Sequence, residues 1–318
     1  MVTSQKNLEE KQLNLKITTW GDLTWVDIVE PTEEAKKYLA EHYNFNPLDL
    51  DDCFSLRQLS KVDEYQQYLF VVFHLPVYNK ATRVSTTRQW SAFVGDKFLV
   101  TLRPGILVAL DELRRECEFS DEVKKEYLSQ GSGYLLYLIL DRAVDSYFPV
   151  LDKILSLLQD VEDSVFEEGV EAAKEVSILR RDIITQRRIM FPTRTLLAEL
   201  ENKLKRFSKP DLTVYYGDLM DHMNKICETL DECKEVIEVF KDADFVLSSS
   251  RANRLIRILA IIFAIGLPFL VVSGLYGIRV ILPGSLDKGS PQTFILLLVI
   301  IFIIVGAMLY FFRRRHLI

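Results

Sequence analysis

Side chains able to do covalent or metal chemistry are sparse and scattered along these 318 residues. His42, His74, His222 and His316 form no ligand set, and Cys53, Cys117, Cys227 and Cys233 show no C-x-x-C spacing. The thiols read as reduced and buried, in keeping with a cytosolic compartment. No G-x-S-x-G, P-loop, H-E-x-x-H or dinucleotide fingerprint occurs, so neither an enzyme nor an organic cofactor is expected. What the chain does group is carboxylates. Asp160, Glu162, Asp163, Glu167 and Glu168 lie on one helical run, read first as a solvated face and second as a concentrator of cations. The net charge of -6 disfavours a nucleic-acid partner and is compatible with cations as ligands.

The elements that must position such groups converge on Ser248 to Arg279, SSSRANRLIRILAIIFAIGLPFLVVSGLYGIR, where a charged helix runs into an apolar one. From Ile258 to Tyr276 there is no charge, a length sufficient to cross a hydrocarbon core of about 30 Å. A second apolar run, Phe294 to Phe312, is closed by Arg313, Arg314, Arg315 and His316. Arg251, Arg254 and Arg257 precede the first span, so the positive-inside rule puts both chain ends in the cytoplasm. The expected organisation is a cytosolic α/β domain (1–130) and a helical region with a long stalk helix (131–250). A first transmembrane helix (251–276), an outer loop (277–292), a second transmembrane helix (293–312) and a basic cytosolic tail (313–318) follow. Such a chain is a multi-pass protein of the plasma or inner membrane, with the lipid bilayer as a partner.

Along the chain, strands are expected around the Gly21-Asp22 turn, then a helix whose first turn runs from Thr32 to Ala35, and a short helix opened by Asn46-Pro47. Tyr68–Leu75, Trp90–Val94 and Lys97–Leu102 read as further strands. Ile106–Ser129 reads as helical, and helical spacing continues from Tyr134 to about Lys205. After Lys209-Pro210-Asp211, a heptad seam runs through Leu219, Met223, Ile226, Leu230, Cys233, Ile237, Phe240 and Leu247. One helix is therefore expected from about Leu219 to Tyr276, on the order of 85 Å long, with its seam available for self-association. Two spans cannot enclose water alone, so any aqueous path needs several copies.

This order of parts resembles the CorA family of magnesium channels over essentially the whole chain. The resemblance is carried by Trp25-Val26-Asp27, Asn46-Pro47-Leu48, VDEYQQYLFVV, YYGDLMDHMNKICETLDECKEVI and SGLYG. It implies a homo-oligomer, five subunits by family likeness, that passes Mg²⁺ or a related dication such as Co²⁺ or Ni²⁺ and is closed by intracellular dication. By the same register it implies a pore-facing series of Asn253, Ile256, Leu259, Ala260, Phe263 and Leu267, with Asp242 as an acidic ring lower in the stalk. Asp218 and Asp221 match the regulatory metal position, whose expected partner from a neighbouring copy is here Asn79.

The signature itself departs. Tyr276-Gly277-Ile278-Arg279 stands where the family carries Tyr-Gly-Met-Asn, and Leu282-Pro283-Gly284 lacks a following acid. Asn offers a carbonyl to the water shell of Mg²⁺, whereas Arg has only donors and is always charged. Two placements of Arg279 stay open: a ring of guanidinium groups opposing dications at the outer mouth, or outward snorkelling to lipid phosphates. The alternative functions are a family member carrying Zn²⁺ or another ion, and a non-conducting membrane scaffold.

Overall fold

The structure, a computed structural model, describes residues 14–55, 58–79, 81–166, 172–277 and 291–314. They divide into two compact units, Met1–Lys241 and Asp242–Ile318.

The first unit is built on a six-stranded sheet of order β1-β2-β6-β5-β4-β3. Its strands are β1 (Leu15–Trp20), β2 (Leu23–Val29), β3 (Lys61–Glu64), β4 (Tyr68–Asn79), β5 (Val84–Gly95) and β6 (Phe98–Arg103). Among the described residues only β2 and β6 pair in parallel. The β1–β2 turn is the expected Gly21-Asp22, where Gly21 takes φ +57°, a conformation that costs glycine little. β4 is buried from Tyr68 to Leu75, which explains its unbroken apolar run: both faces of the strand are covered. β5 begins at Val84, six residues before its expected start, because Thr86, Thr87, Arg88 and Gln89 hide a strand that still pairs with β4 down to Asn79↔Val84.

One face of the sheet is closed by α1 (Glu33–His42) and α2 (Pro47–Phe54), whose Ala35, Leu39 and Leu50 join Phe70, Val72, Phe93 and Val100 in one core. Thr32 caps α1 by accepting from the Ala35 N–H, and Asn46 caps α2 by accepting from the Leu48 N–H at 3.0 Å. The Ile106–Ser129 stretch is two helices, α3 (Val108–Phe119) and α4 (Asp121–Leu128). Ser120 separates them: its backbone is extended and its hydroxyl accepts from the Val123 N–H, ending one helix and capping the next.

Three helices follow, α5 (Ser132–Asp145), α6 (Phe148–Phe166) and α7 (Ala172–Leu204), then a 3-10 turn at Lys205–Phe207 and the 65-residue α8 (Thr213–Gly277). α7 lies against the sheet, where Thr193 Oγ1 donates to the His74 carbonyl at 3.1 Å and buried Asp182 accepts the Ser85 N–H. α8 starts at Thr213, earlier than the seam indicated, because Asp211 Oδ1 accepts from both the N–H and the hydroxyl of Thr213.

From Leu219 to Phe240 the heptad seam is already filled within one chain, whereas Leu247 is half-buried. Leu219, Met223, Ile226, Leu230 and Ile237 are fully buried, and Phe240 is 6% exposed. α5, α6 and α7 cover it: Tyr216 meets the Tyr137 ring, His222 meets Phe148, Arg180 pairs with Glu238 and Arg187 with Asp231. Self-association along the seam from Leu219 to Phe240 is therefore corrected; apolar spacing identified a buried face but not which helix buries it. In the second unit, α9 (Pro291–Arg314) places Phe302 edge-on to Phe269 of α8, centroids 6.3 Å apart.

Candidate functional site

Two of the sequence signatures are structural. Asp27 of the Trp25-Val26-Asp27 stretch is fully buried and meets Arg103 Nη2 at 2.9 Å and Arg114 Nη1 at 3.6 Å. Burial would lower the Arg103 guanidinium, but hydrogen bonds to Asp27 and Asp111 outweigh it and hold the pKa above its ordinary value. Trp25 Nε1 donates to Thr101, which in turn donates to Asp27, so the motif locks β2 to β6. In the second signature, Tyr65 and Tyr68 both donate to Asp49 at 3.0 and 2.9 Å, while Asn46 donates to Tyr65. Burial raises the Asp49 carboxyl despite those two donors.

The stretch expected to meet ions lies in the second unit. Asp242, Asn253, Ile256, Leu259, Ala260, Phe263 and Leu267 are all exposed on α8, the apolar members strongly so: Ile256 62%, Leu259 54%, Phe263 67% and Leu267 60%. Asn253, Ile256, Ala260, Phe263 and Leu267 recur at three and four, so they share one helix face, with Leu259 at its edge. The face starts on one amide and continues in carbon only. This helix is long and apolar enough to cross a membrane, and the side chains of its apolar window are unburied within the chain.

Pro268 withholds one backbone N–H and leaves the Ala264 carbonyl without its helical partner. A Cβ added at Gly266 or Gly274 would meet nothing within 4 Å, so among the described residues the close approach these small residues permit is not made. Tyr276 and Gly277 close α8, whereas Ile278, Arg279 and the loop that contains Gly284 and Asp287 lie outside the described residues.

Asp218 and Asp221 are exposed on the N-terminal part of α8. The structure brings Asp218 toward a group that spacing could not reveal, Asp141 and Asp145 of α5. The Asp141 carboxyl is pushed up by burial first and by the charges of Asp145 and Asp218 next, with His222 opposing. His222 Nδ1 lies 3.0 Å from Asp145 Oδ1. The i, i+4 pair Asp141 and Asp145 was the available signal, but its partners are some 77 residues away in the chain. Asn79 is engaged locally: its Oδ1 accepts from Ala81 N at 2.9 Å and Thr82 N at 3.3 Å. Asp160, Glu162 and Asp163 are exposed on α6, while Glu167 and Glu168 lie outside the described residues. Among the described residues no three His, Cys, Asp or Glu side chains group closely enough to hold a metal ion.

An α/β unit whose last helix becomes an exposed apolar span defines an integral membrane protein. The model of the CorA-like Mg²⁺ transporter protein family matches residues 20–314, and the chain belongs to that family. It is 30% identical to YfjQ of Bacillus subtilis over 80% of this chain and 78% of that protein. It is 24% identical to the cobalt/magnesium transport protein CorA of Thermotoga maritima, over 80% of this chain and 73% of that one. Its fold matches the complete structure of the CorA magnesium transporter from Methanocaldococcus jannaschii, with a TM-score of 0.76, 20% identity and coverage of 93% and 92% of the two chains.

Proposed function

We propose that copies of this chain assemble, five by likeness to the family, into a channel that carries Mg²⁺, Co²⁺ or Ni²⁺ across the cell membrane. The supporting observation is the exposed face of α8 from Asn253 to Leu267, which its own chain leaves uncovered on a membrane-length helix. Assembled around an axis, that face becomes the wall of a pore and α9 the lipid-facing second span, with both chain ends in the cytoplasm. Asn253 then forms a ring of amide carbonyls at the cytosolic mouth, matched to a dication that keeps its water shell. Leu259 and Leu267 form apolar constrictions that close by dewetting. Asp242 concentrates cations below them. Mg²⁺ is cargo here, and also the regulator: bound near Asp218 and Asp221 between copies, it favours the packing in which the path is closed.

A test is cysteine scanning. Cysteines at 253, 256, 263 and 267 should be blocked by a charged thiol reagent applied to conducting protein, and cysteines at 255, 262 and 269 should not. Equal block at both sets would remove the pore face from the account.

A second reading has one observation in its favour, Arg279 in place of the signature Asn. A guanidinium ring at the outer mouth repels dications by several kT. Selection for Zn²⁺ by another route, for an anion, or loss of conduction would follow. Uptake of Zn²⁺ and chloride beside Mg²⁺, by wild type and Arg279→Asn, separates these cases.

A further inference from the structure

In the first unit, α7 and the β4–β5 pair border a cavity of about 540 Å³, a volume in the range of small-molecule sites. Ser60, His74, Thr87, Arg188, Ile189 and Pro192 line it, and no acid is among its described lining residues. His74 stands opposite Gln89 across β4 and β5, so Thr87, two residues from Gln89, shares the face of His74. The His74 ring lies 3.0 Å from Ser60 Oγ through Nδ1, and burial lowers its pKa, so the imidazole is neutral at physiological pH. The charge of the cavity comes from Arg188, which is exposed and forms no ion pair among the described residues, whereas Arg187 beside it pairs with Asp231. Arg188 also borders a groove of about 620 Å³ along α7 that holds Lys174 and Arg181 and again no described acid. An anion therefore approaches through positive potential, on a chain whose net charge is -6.

Two further polar groups stand beside that cation. The exposed Thr87 hydroxyl makes no hydrogen bond among the described residues. Pro192 has no N–H, so the Arg188 carbonyl, directed along the helix toward the proline ring, lacks its helical partner and offers an acceptor. We propose that this cavity binds a small phosphate monoester whose carbon body carries hydroxyl groups, at a site the ion path does not use. A carboxylate or a lipid phosphodiester presents two terminal oxygens, which the Arg188 fork alone satisfies. A monoester has three, and the third reaches Thr87. The cavity is far larger than a phosphate, with Ile189 and Pro192 to cover carbon and the Arg188 carbonyl and Ser60 Oγ to meet hydroxyls. Bound there, the ester joins α7 to β5 and stabilises that junction by mass action.

The test is equilibrium dialysis of radiolabelled glycerol 3-phosphate against the full chain in a neutral sugar detergent. Saturable binding at one site per chain is expected, with inorganic phosphate a weaker competitor and glycerol none. Arg188→Gln should weaken binding roughly tenfold or more, through loss of a charge-assisted fork. Pro192→Ala returns an N–H to the Arg188 carbonyl and should weaken the ester several-fold while leaving inorganic phosphate unchanged, a split that a misfolded chain would not give. Thr87→Val should weaken both anions. Absence of saturable binding, or binding that Arg188→Gln leaves intact, overturns the site. Inorganic phosphate that competes as well as the ester, with no effect of Pro192→Ala, overturns the ester in favour of a bare anion. Displacement of the label by phosphatidylglycerol in the micelle, at lower concentration than by unlabelled glycerol 3-phosphate, overturns the soluble ligand in favour of a lipid headgroup.

Discussion

Arg103 lies 1% exposed against fully buried Asp27, with Nη2 2.9 Å from Oδ2, and its second carboxylate partner, Asp111, ties β6 to α3. The pair sits where β2 and β6 run in parallel. Removing Asp27 leaves two guanidinium groups buried without their common anion, and breaking such a pair costs about 3–5 kcal/mol. Asp27→Ala should therefore lower the denaturant midpoint of the full chain by that equivalent. A loss under about 1 kcal/mol would mean that water reaches the site and screens Arg103.

Glu116 gives a pH signature. Its carboxyl is held below the ordinary value by hydrogen bonds from Arg142 first and Tyr127 next, against a burial effect that raises it. A depressed folded pKa contributes stability that is present above the unfolded pKa, near 4.5, and is lost as pH falls through the folded one. Glu116→Gln should be less stable than wild type at neutral pH, by up to about 1 kcal/mol given that the pair is partly exposed. The two stability curves should meet below that range. A gap that persists undiminished in acid would assign the loss to packing instead.

Conduction should depend on the helix face in two opposite ways. Asn253→Leu removes an acceptor for a hydrated ion and should cut Mg²⁺ flux about tenfold, equivalent to ~1.4 kcal/mol at the barrier. Leu259→Ser makes an apolar constriction wettable and should raise flux at saturating internal Mg²⁺. The pair of opposite signs, read in one liposome assay, is the check; equal losses from both would point to misassembly.

Closure by internal Mg²⁺ should weaken when the stalk acids are neutralised. Asp218→Asn with Asp221→Asn should move the half-closing concentration upward by roughly tenfold, the loss of about 1.4 kcal/mol of coupling. The same change should lower the Asp141 pKa, because Asp218 contributes to its elevation. An Asp141 titration that shifts without any change in closure would detach the acidic group from regulation.

Much of the architecture was legible because it is local. Thr32 and Asn46 cap helices in the manner their residue types announce, and Tyr68–Leu75 is apolar because both its faces are covered. The apolar span at the end of α8 was legible from charge-free length alone, whereas its face from Asn253 to Leu267 came only from the family resemblance. What stayed hidden is pairing between distant segments. The heptad seam looked like an oligomer contact until α5, α6 and α7 filled it, and Asp141 reaches Asp218 only through the packing of α5 on α8. The Trp25-Val26-Asp27 stretch carried family likeness, yet its chemistry is a buried lock between strands, which no motif spacing distinguishes from a ligand set.

The most direct measurement is Mg²⁺ entry into dye-loaded liposomes containing the purified wild-type chain, beside Arg279→Asn. The account predicts entry through wild type that is suppressed by Mg²⁺ inside the vesicle. No entry of Mg²⁺, Co²⁺ or Ni²⁺ through wild type, with entry restored by Arg279→Asn, would contradict it and leave a family scaffold whose outer mouth excludes dications.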